Sequence, residues 1–389
     1  MSGPGVVDVL RSRAWSAVAL RRLRRSGVPV SPVAPSDHAE RRVLIGPANS
    51  AGQGDAWARA LERSSAGLQA SSMQYLQGNE HYGFAVDLPV HSGDAAHSRR
   101  WQRAQLASLE RYRGILCESA QPVLGNLFQG DTVRQLAVLG ERGVRLGLAF
   151  HGSDLRDPDA HMSKEPLSHF ALDPALTEQL RASTRRSREA IAASGLPVLV
   201  STPDLLSEIE SAEWLPVVID PNLWRTDTEV LDHGGPLRVV HAPSHAGYKG
   251  SELIDGTLQR LHDGGLIDYH RVSGIPHAEM VTVYRDADVV LDQFRIGSYG
   301  VAACEALAAG RIVVSHVSEE VRNEIVRRTG FELPIVEATP DILAEVLSGI
   351  ASDPVRARRI ARSGADYVAA WHDGAKSGAV LANWLDGTK

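Results

Sequence analysis

The C-terminal half of the chain alternates between short apolar runs and amphipathic stretches. Segments 237–241, 268–273, 288–292, 311–315 and 334–336 are read as strands, and 250–262, 277–285, 300–309, 318–327, 339–351 and 354–370 as helices. Strands separated by helices of about 10–15 residues imply parallel βαβ units. The N-terminal half shows the same alternation less regularly, with strands at 42–45, 115–118, 144–150 and 197–201 and helices at 55–64, 131–142 and 175–193. Residues 214–221 are extended, and 226–235 are polar and glycine-bearing, so a domain boundary falls within 203–236. Residues 6–25 predict a helix with Val7, Leu10, Ala14, Ala17 and Val18 on one face, where Arg21 and Arg25 end the stripe. This reads as a core-packed helix whose last-turn arginines suit the helix dipole, and contact of the basic cluster with a membrane surface stays open. Residues 27–39 form a proline-rich connector, and 371–385 a separate final helix.

At 389 residues, 43% apolar and 23% charged, the chain is globular and long enough for two domains. A net charge of −6 gives no general attraction to nucleic acid. No apolar run reaches the ~18 residues of a membrane span. Arginines interrupt every apolar run near the N-terminus, so no secretory leader is read and the cytoplasm is the expected compartment. Cys117 and Cys304 lie far apart and read as reduced thiols. Among 15 histidines no H-x-x-x-H or paired Cys/His spacing falls on one helix, so no metal is expected. Four lysines accompany thirty-seven arginines, which makes Lys249 hard to ascribe to composition.

Two loops carry the chemistry. His-Ala-Pro-Ser-His-Ala-Gly-Tyr-Lys-Gly at 241–250 and Gly-Ser-Tyr-Gly-Val-Ala-Ala-Cys-Glu-Ala-Leu-Ala-Ala-Gly at 297–310 each follow an apolar run, at the carboxyl end of a predicted strand. Open parallel sheets bind ligands there, where helix N-termini present free N–H groups. Lys249 and the turn Gly297, Ser298, Tyr299, Gly300 suit a diphosphate. Glu305, flanked by Ala302, Ala303, Cys304, Ala306, Leu307 and Ala308, needs a polar partner that ribose hydroxyls supply. In the other half, the loop 46–54, with Gly52 and Gln53, lacks G-x-G-x-x-G spacing and reads as a glycine-rich loop facing a cleft. His151 ends a buried-type strand in His-Gly-Ser-Asp, followed by Leu155 and Arg156; Asp154 and Arg156 divide evenly between cleft and capping roles.

These motifs resemble GT-B-fold glycosyltransferases, and glycosyltransferase family 4 most of all, over most of residues 40–385 and best over 237–316. The resemblance implies an α/β fold of two Rossmann-like, doubly wound domains facing each other across a deep cleft. It implies an N-terminal acceptor domain at 1–205, with Gly52, Gln53, Asp154 and Arg156 on the acceptor side and 371–389 packing back onto it, and a nucleotide-sugar domain at 206–370. It further implies metal-independent transfer of a sugar from a nucleoside diphosphate sugar, such as a UDP-sugar, with retention and without a separate cofactor. Lys249 and Gly250 map onto the family's diphosphate loop and Glu305 onto its ribose-binding acid. Ser244, Gly274 and His277 fall on donor-side loops, and His151 on the loop facing the donor sugar.

One departure stands out. The family places a sugar-contacting glutamate eight residues before the ribose-binding one, where this chain has Gly297. Asp292 and Gln293 are the residues expected to take over the sugar, separately from the diphosphate held by Lys249. The departure keeps open a degenerate, non-catalytic nucleotide-sugar-binding subunit, and less readily an epimerase. The acceptor (natural product, glycan, glycolipid or protein) is not specified by the sequence.

Overall fold

The computed structural model describes residues 6–77 and 83–387, with side chains from residue 14 onward. Seven strands, β1 (Arg42–Gly46), β2 (Gln69–Leu76), β3 (Leu88–His91), β4 (Gly114–Glu118), β5 (Arg145–Phe150), β6 (Val198–Val200) and β7 (Glu213–Trp214), form one sheet in the order β3-β2-β1-β4-β5-β6-β7. Every pairing is parallel, with Leu44 opposite Ser71 on one side and Ile115 on the other. The strands are apolar on both faces because helices cover both. Val43, Ile45, Leu116, Ala149 and Leu199 pack with Trp57 and Trp384, while Leu44, Ile115, Cys117, Leu148 and Phe150 pack on the opposite side.

A second parallel sheet follows: β8 (Leu237–His241), β9 (Ile267–Arg271), β10 (Val289–Leu291), β11 (Ile312–Ser315) and β12 (Ile335–Glu337), in the order β12-β11-β10-β8-β9. In both sheets the strand order reverses beside the first strand, between β1 and β4 and between β8 and β10. Loops leaving the carboxyl ends of those pairs diverge, which opens a crevice in each sheet.

The crossing between the sheets is pinned. Gln53 exchanges both amide hydrogen bonds with the backbone of Val218 (3.2 and 2.7 Å), and the Trp57 indole and the Ser377 hydroxyl both donate to Pro216 O (3.0 and 2.7 Å). The chain returns beside it, with Ile219 N donating to His372 O (2.7 Å). The final helix, Ala375–Asp386, then lies against the helix Gln53–Ser64, and Trp384 donates to Leu146 O (3.2 Å) beneath the first sheet. β7 carries that sheet past residue 205, because the Trp214 indole ties the segment to Ser201 O (3.2 Å).

The first helix, Val6–Arg25, departs from its expected packing. Ala14, Ala17 and Val18 are exposed, as is Trp15 at 62%, and Val7 and Leu10 lie outside the described side chains. The helix is held instead by Leu20 and Leu23, both partly buried, and by the Arg24 ion pair with buried Asp94. No described helix is long and apolar enough to cross a membrane.

Candidate functional site between the two sheets

On the second sheet, the loop after β8 makes one helical turn, Ala246–Lys249, that Gly250 ends at φ 75°. Phe294 N bonds Lys249 O (3.0 Å), which docks this turn onto the segment after β10. Lys249 Nζ then forms an ion pair with Asp292, whose side chain is 3% exposed. The pair bridges the crevice between β8 and β10. Asp292 Oδ2 is buried without a protein partner among the described residues. The two residues expected to act separately are thus in direct contact.

Gln293 spends its amide on the backbone. Its Nε2 donates to Ser298 O and His316 O (2.5 and 2.6 Å), and its Oε1 accepts from Arg295 N and Ile296 N (3.0 and 2.6 Å). It shapes the glycine turn and has no amide group left for a sugar. Tyr299 likewise turns inward, its hydroxyl 3.0 Å from that of Tyr367, so only its backbone faces the cleft. Gly300 leads into the helix Val301–Ala308, where Glu305 is 5% exposed and 2.6 Å from His277 Nε2. Burial raises the Glu305 pKa, and the His277 hydrogen bond and charge hold it down in part. The His277 ring lies between Phe84 and Trp224, at centroid distances of 4.6 and 5.6 Å.

On the first sheet, β4 ends in Glu118, which is 0% exposed. Its carboxylate accepts from Ala48 N (3.1 Å) and Asn49 N (2.8 Å) across the crevice from β1, and lies 2.8 Å from His151 Nε2. The His151 ring stacks on Trp57 at 5.2 Å and 13°. Burial works to lower the His151 pKa, but the Glu118 hydrogen bond and charge, with Asp154, raise it overall. Asp154 accepts from the backbone N–H groups of His151 and Gly152 and from the Ser119 hydroxyl, so capping is its main task. Arg156 is buried against Asp204 at 2.6 Å. Sequence reasoning passed over Glu118; the available signal was an acid ending the apolar run 115–117.

Two adjoining chambers, each of about 460 Å³, lie between the sheets and share Ser50, His151, Thr202, Lys249 and Gly300. The first has apolar walls at Val272, Met280 and Tyr284, and also holds Ser244, Gly274, His277 and Glu305. The second is more polar, with Ser119, Asp154, Arg156, Asp292, Gln293 and Ser298. Gln53 reaches the rim of the first chamber, but its amide is committed to Val218. Gly250 and Gly52 line neither chamber; the one ends the Lys249 turn and the other abuts Phe84. Among the described residues, no three His, Cys, Asp or Glu side chains are grouped as a metal ion would need.

The glycine turn is also where the domains clasp. Gly297 has φ 68°, and a Cβ there would collide with the Glu165 carboxylate. Glu165 bonds His316 Nε2 (2.9 Å), while Glu337 bonds His316 Nδ1 (2.7 Å) and Arg322 (2.8 Å). Nearby, Lys164 pairs with Glu320 (2.9 Å), His161 donates to Ile296 O (3.1 Å) and Arg295 donates to Leu167 O (2.7 Å). The Glu165 and Glu337 hydrogen bonds push the His316 pKa up from 6.5 to about 9, against the effect of burial. A group whose folded pKa is raised contributes full stability below its unfolded value and loses it as pH rises through the folded one. The clasp is therefore expected to contribute fully below pH 6.5 and to fade as pH climbs to about 9. Calorimetric melting of wild type and His316→Gln from acid to alkaline pH checks this: the gap in Tm should close across that window. Gly297→Ala forces an alanine into the left-handed region, at about 1–2 kcal/mol, and displaces Glu165 while Glu337 stays, so it should reduce the same pH dependence without removing it. A gap that does not change with pH would mean the clasp is uncharged.

No protein-family model matches the chain, and no curated protein is similar to it in sequence. Solved structures do match. HepE of Anabaena in complex with UDP and glucose superimposes with a TM-score of 0.57 at 12% identity, covering 89% of this chain and 99% of that one. Its complex with UDP-glucose gives 0.55 at 13% identity, with 89% and 99% covered. Sucrose-phosphate synthase of Thermosynechococcus elongatus gives 0.55 at 13% identity, with 89% and 98% covered. At such identities the likeness is one of fold: two Rossmann-like parallel-sheet domains in the GT-B arrangement.

Proposed function

We propose that this protein is a glycosyltransferase of the retaining, family 4 kind, which moves a sugar from a nucleoside diphosphate sugar to an acceptor held by the N-terminal domain. The observation that carries the reading is the convergence of Lys249, Gly300 and Glu305 on one chamber at the carboxyl ends of β8 and β10, with Ser298 and Tyr299 of the same turn lining the chamber beside it. The apolar wall of Val272, Met280 and Tyr284 suits a nucleobase, and the Glu305 carboxylate accepts hydrogen bonds from ribose hydroxyls. The diphosphate lies at the N-terminus of the helix Val301–Ala308, where backbone N–H groups and the Lys249 ammonium face it. As the bond from the anomeric carbon to the phosphate oxygen breaks, negative charge grows on the diphosphate. Lys249 and those N–H groups stabilise it without a metal. Asp292 and His151 face the sugar, the acceptor oxygen bonds the anomeric carbon from the side the diphosphate leaves, and the acceptor's proton passes to the departing phosphate oxygen. The UDP in the HepE complexes supports uridine as the first nucleotide to try.

A second reading, a binding subunit without turnover, is favoured by Gly297, which offers no acid to the sugar. Calorimetry with UDP, followed by a donor-hydrolysis screen over nucleotide sugars, separates the two. UDP binding with hydrolysis of at least one donor supports the transferase; binding without turnover of any donor supports the subunit. No binding of any nucleoside diphosphate would overturn both.

A further inference from the structure

We propose that Glu118 is the positioning residue of the cleft: its carboxylate fixes which nitrogen of His151 faces the substrates and ties that ring to the loop after β1. The proposal rests on the transferase reading for its meaning, though not for its test. Glu118 ends β4 at the point where the first sheet's strand order reverses, with no exposed surface. A carboxylate there is stable only when its oxygens are supplied with donors. Two come from Ala48 N and Asn49 N, at 3.1 and 2.8 Å, and the third is His151 Nε2 at 2.8 Å.

An ionised carboxylate only accepts hydrogen bonds, so Nε2 must carry its proton. In the neutral ring Nδ1 is then bare and can accept a substrate hydroxyl; in the charged ring it donates. Neither the ring plane nor its stem is free to change this. Trp57 stacks on the ring at 13°, and Asp154 holds the backbone N–H groups of His151 and Gly152. The charges facing the ring are Glu118 from β4, Asp154 from its own loop and, across the second chamber, the Lys249–Asp292 pair. Because one carboxylate grips both the ring and the loop 46–54, a shift of that loop moves His151 with it.

Glu118→Gln keeps the volume and reverses the chemistry. The backbone N–H groups of Ala48 and Asn49 claim the amide oxygen, so the amide NH2 faces His151 Nε2. Nε2 must then accept, and the proton moves to Nδ1. Long-range 1H–15N correlation on histidine-labelled protein, with the His151 signals assigned from a His151→Asn spectrum, reads the tautomer directly. The expected result is Nε2–H in wild type and Nδ1–H in Glu118→Gln. With UDP-glucose as probe donor, hydrolysis should fall on the order of a hundredfold. Its pH profile should move to lower pH, while UDP affinity stays within about twofold, because Glu118 contacts neither Lys249 nor Glu305, which hold the nucleotide.

Wild-type His151 in its neutral form with the proton on Nδ1 and a bare Nε2 would overturn the proposal. So would a Glu118→Gln variant with the reversed tautomer and wild-type turnover. If that variant does not fold, Glu118→Asp keeps the charge with a shorter reach and should retain Nε2–H; Nδ1–H in that variant would count against it. Should wild type hydrolyse no donor at all, the transferase reading fails, while the tautomer measurement still decides the role of Glu118.

Discussion

Lys249→Ala is expected to lower turnover by about two orders of magnitude or more, the usual scale for removing one preorganised group that meets developing charge. The structure makes the loss larger than a missing cation alone. Lys249 is paired with Asp292, whose side chain is 3% exposed, so alanine leaves a buried carboxylate uncompensated where the diphosphate must sit. Breaking a buried pair from one side costs about 3–5 kcal/mol, and the lower end applies here because Lys249 is 18% exposed. Part of that appears as lost stability and part as repulsion of the nucleotide. The Lys249→Ala/Asp292→Asn double variant should therefore bind UDP more tightly than Lys249→Ala alone, a non-additivity expected only of residues in contact. Lys249→Arg should recover only part of the activity, since a planar fork does not replace a point charge in a tight turn. Donor hydrolysis, UDP calorimetry and Tm measured side by side check the scheme. Activity of Lys249→Ala within about twofold of wild type would remove Lys249 from the diphosphate.

What the sequence showed and what it hid follow from how locally each feature is encoded. The second sheet was legible to within a few residues because its central strands β10 and β11 are short apolar runs buried on both faces, and amphipathic helices separate the strands. β2 and β3 were missed: Gln69–Leu76 carries Ser71, Ser72 and Gln74 among its apolar residues, and Leu88–His91 is a four-residue edge strand. The site divides in the same way. Lys249, Glu305 and the glycine turn sit in contiguous motifs, and the fold brings Lys249, Gly300 and Glu305 to one chamber. Gln53 and Gln293 are of types that suit sugar binding, yet their amides go to Val218 and to the glycine turn. For Gln53 that partner lies 165 residues away, beyond the reach of any local pattern. The contact between Lys249 and Asp292 and the grip of Glu118 on His151 depend on strand order, which fixes which loops meet across each crevice. The first helix shows the converse. Its apolar stripe was real, but Ala14, Ala17 and Val18, the part of it with described side chains, are exposed.

Glu305→Gln should weaken UDP and UDP-sugar binding alike, by about tenfold or more, because a hydrogen bond to a charged group contributes about 1.5–3 kcal/mol. The substitution keeps the side-chain volume in a helix packed by Ala303, Cys304, Ala306 and Leu307, so the fold should survive it. What changes is the acceptor: the carboxylate can take both ribose hydroxyls, whereas the amide offers one oxygen and two donors. Acidity gives an independent check. Burial raises the Glu305 pKa despite the opposing His277 contact, so its carboxylate becomes protonated at a higher pH than an ordinary glutamate. If ribose needs the carboxylate, UDP affinity is full at neutral pH and falls on acidification sooner than an ordinary glutamate would cause. That acid limb should be absent in Glu305→Gln. His277 reports on the same event, because its Nε2 holds Glu305 Oε1 at 2.6 Å, where the diol would compete for the carboxylate. Nuclear magnetic resonance of the labelled His277 ring should therefore shift on UDP addition in wild type and not in the variant. A loss confined to the sugar-bearing donor, with UDP bound as tightly as before, would instead make Glu305 a reader of the hexose.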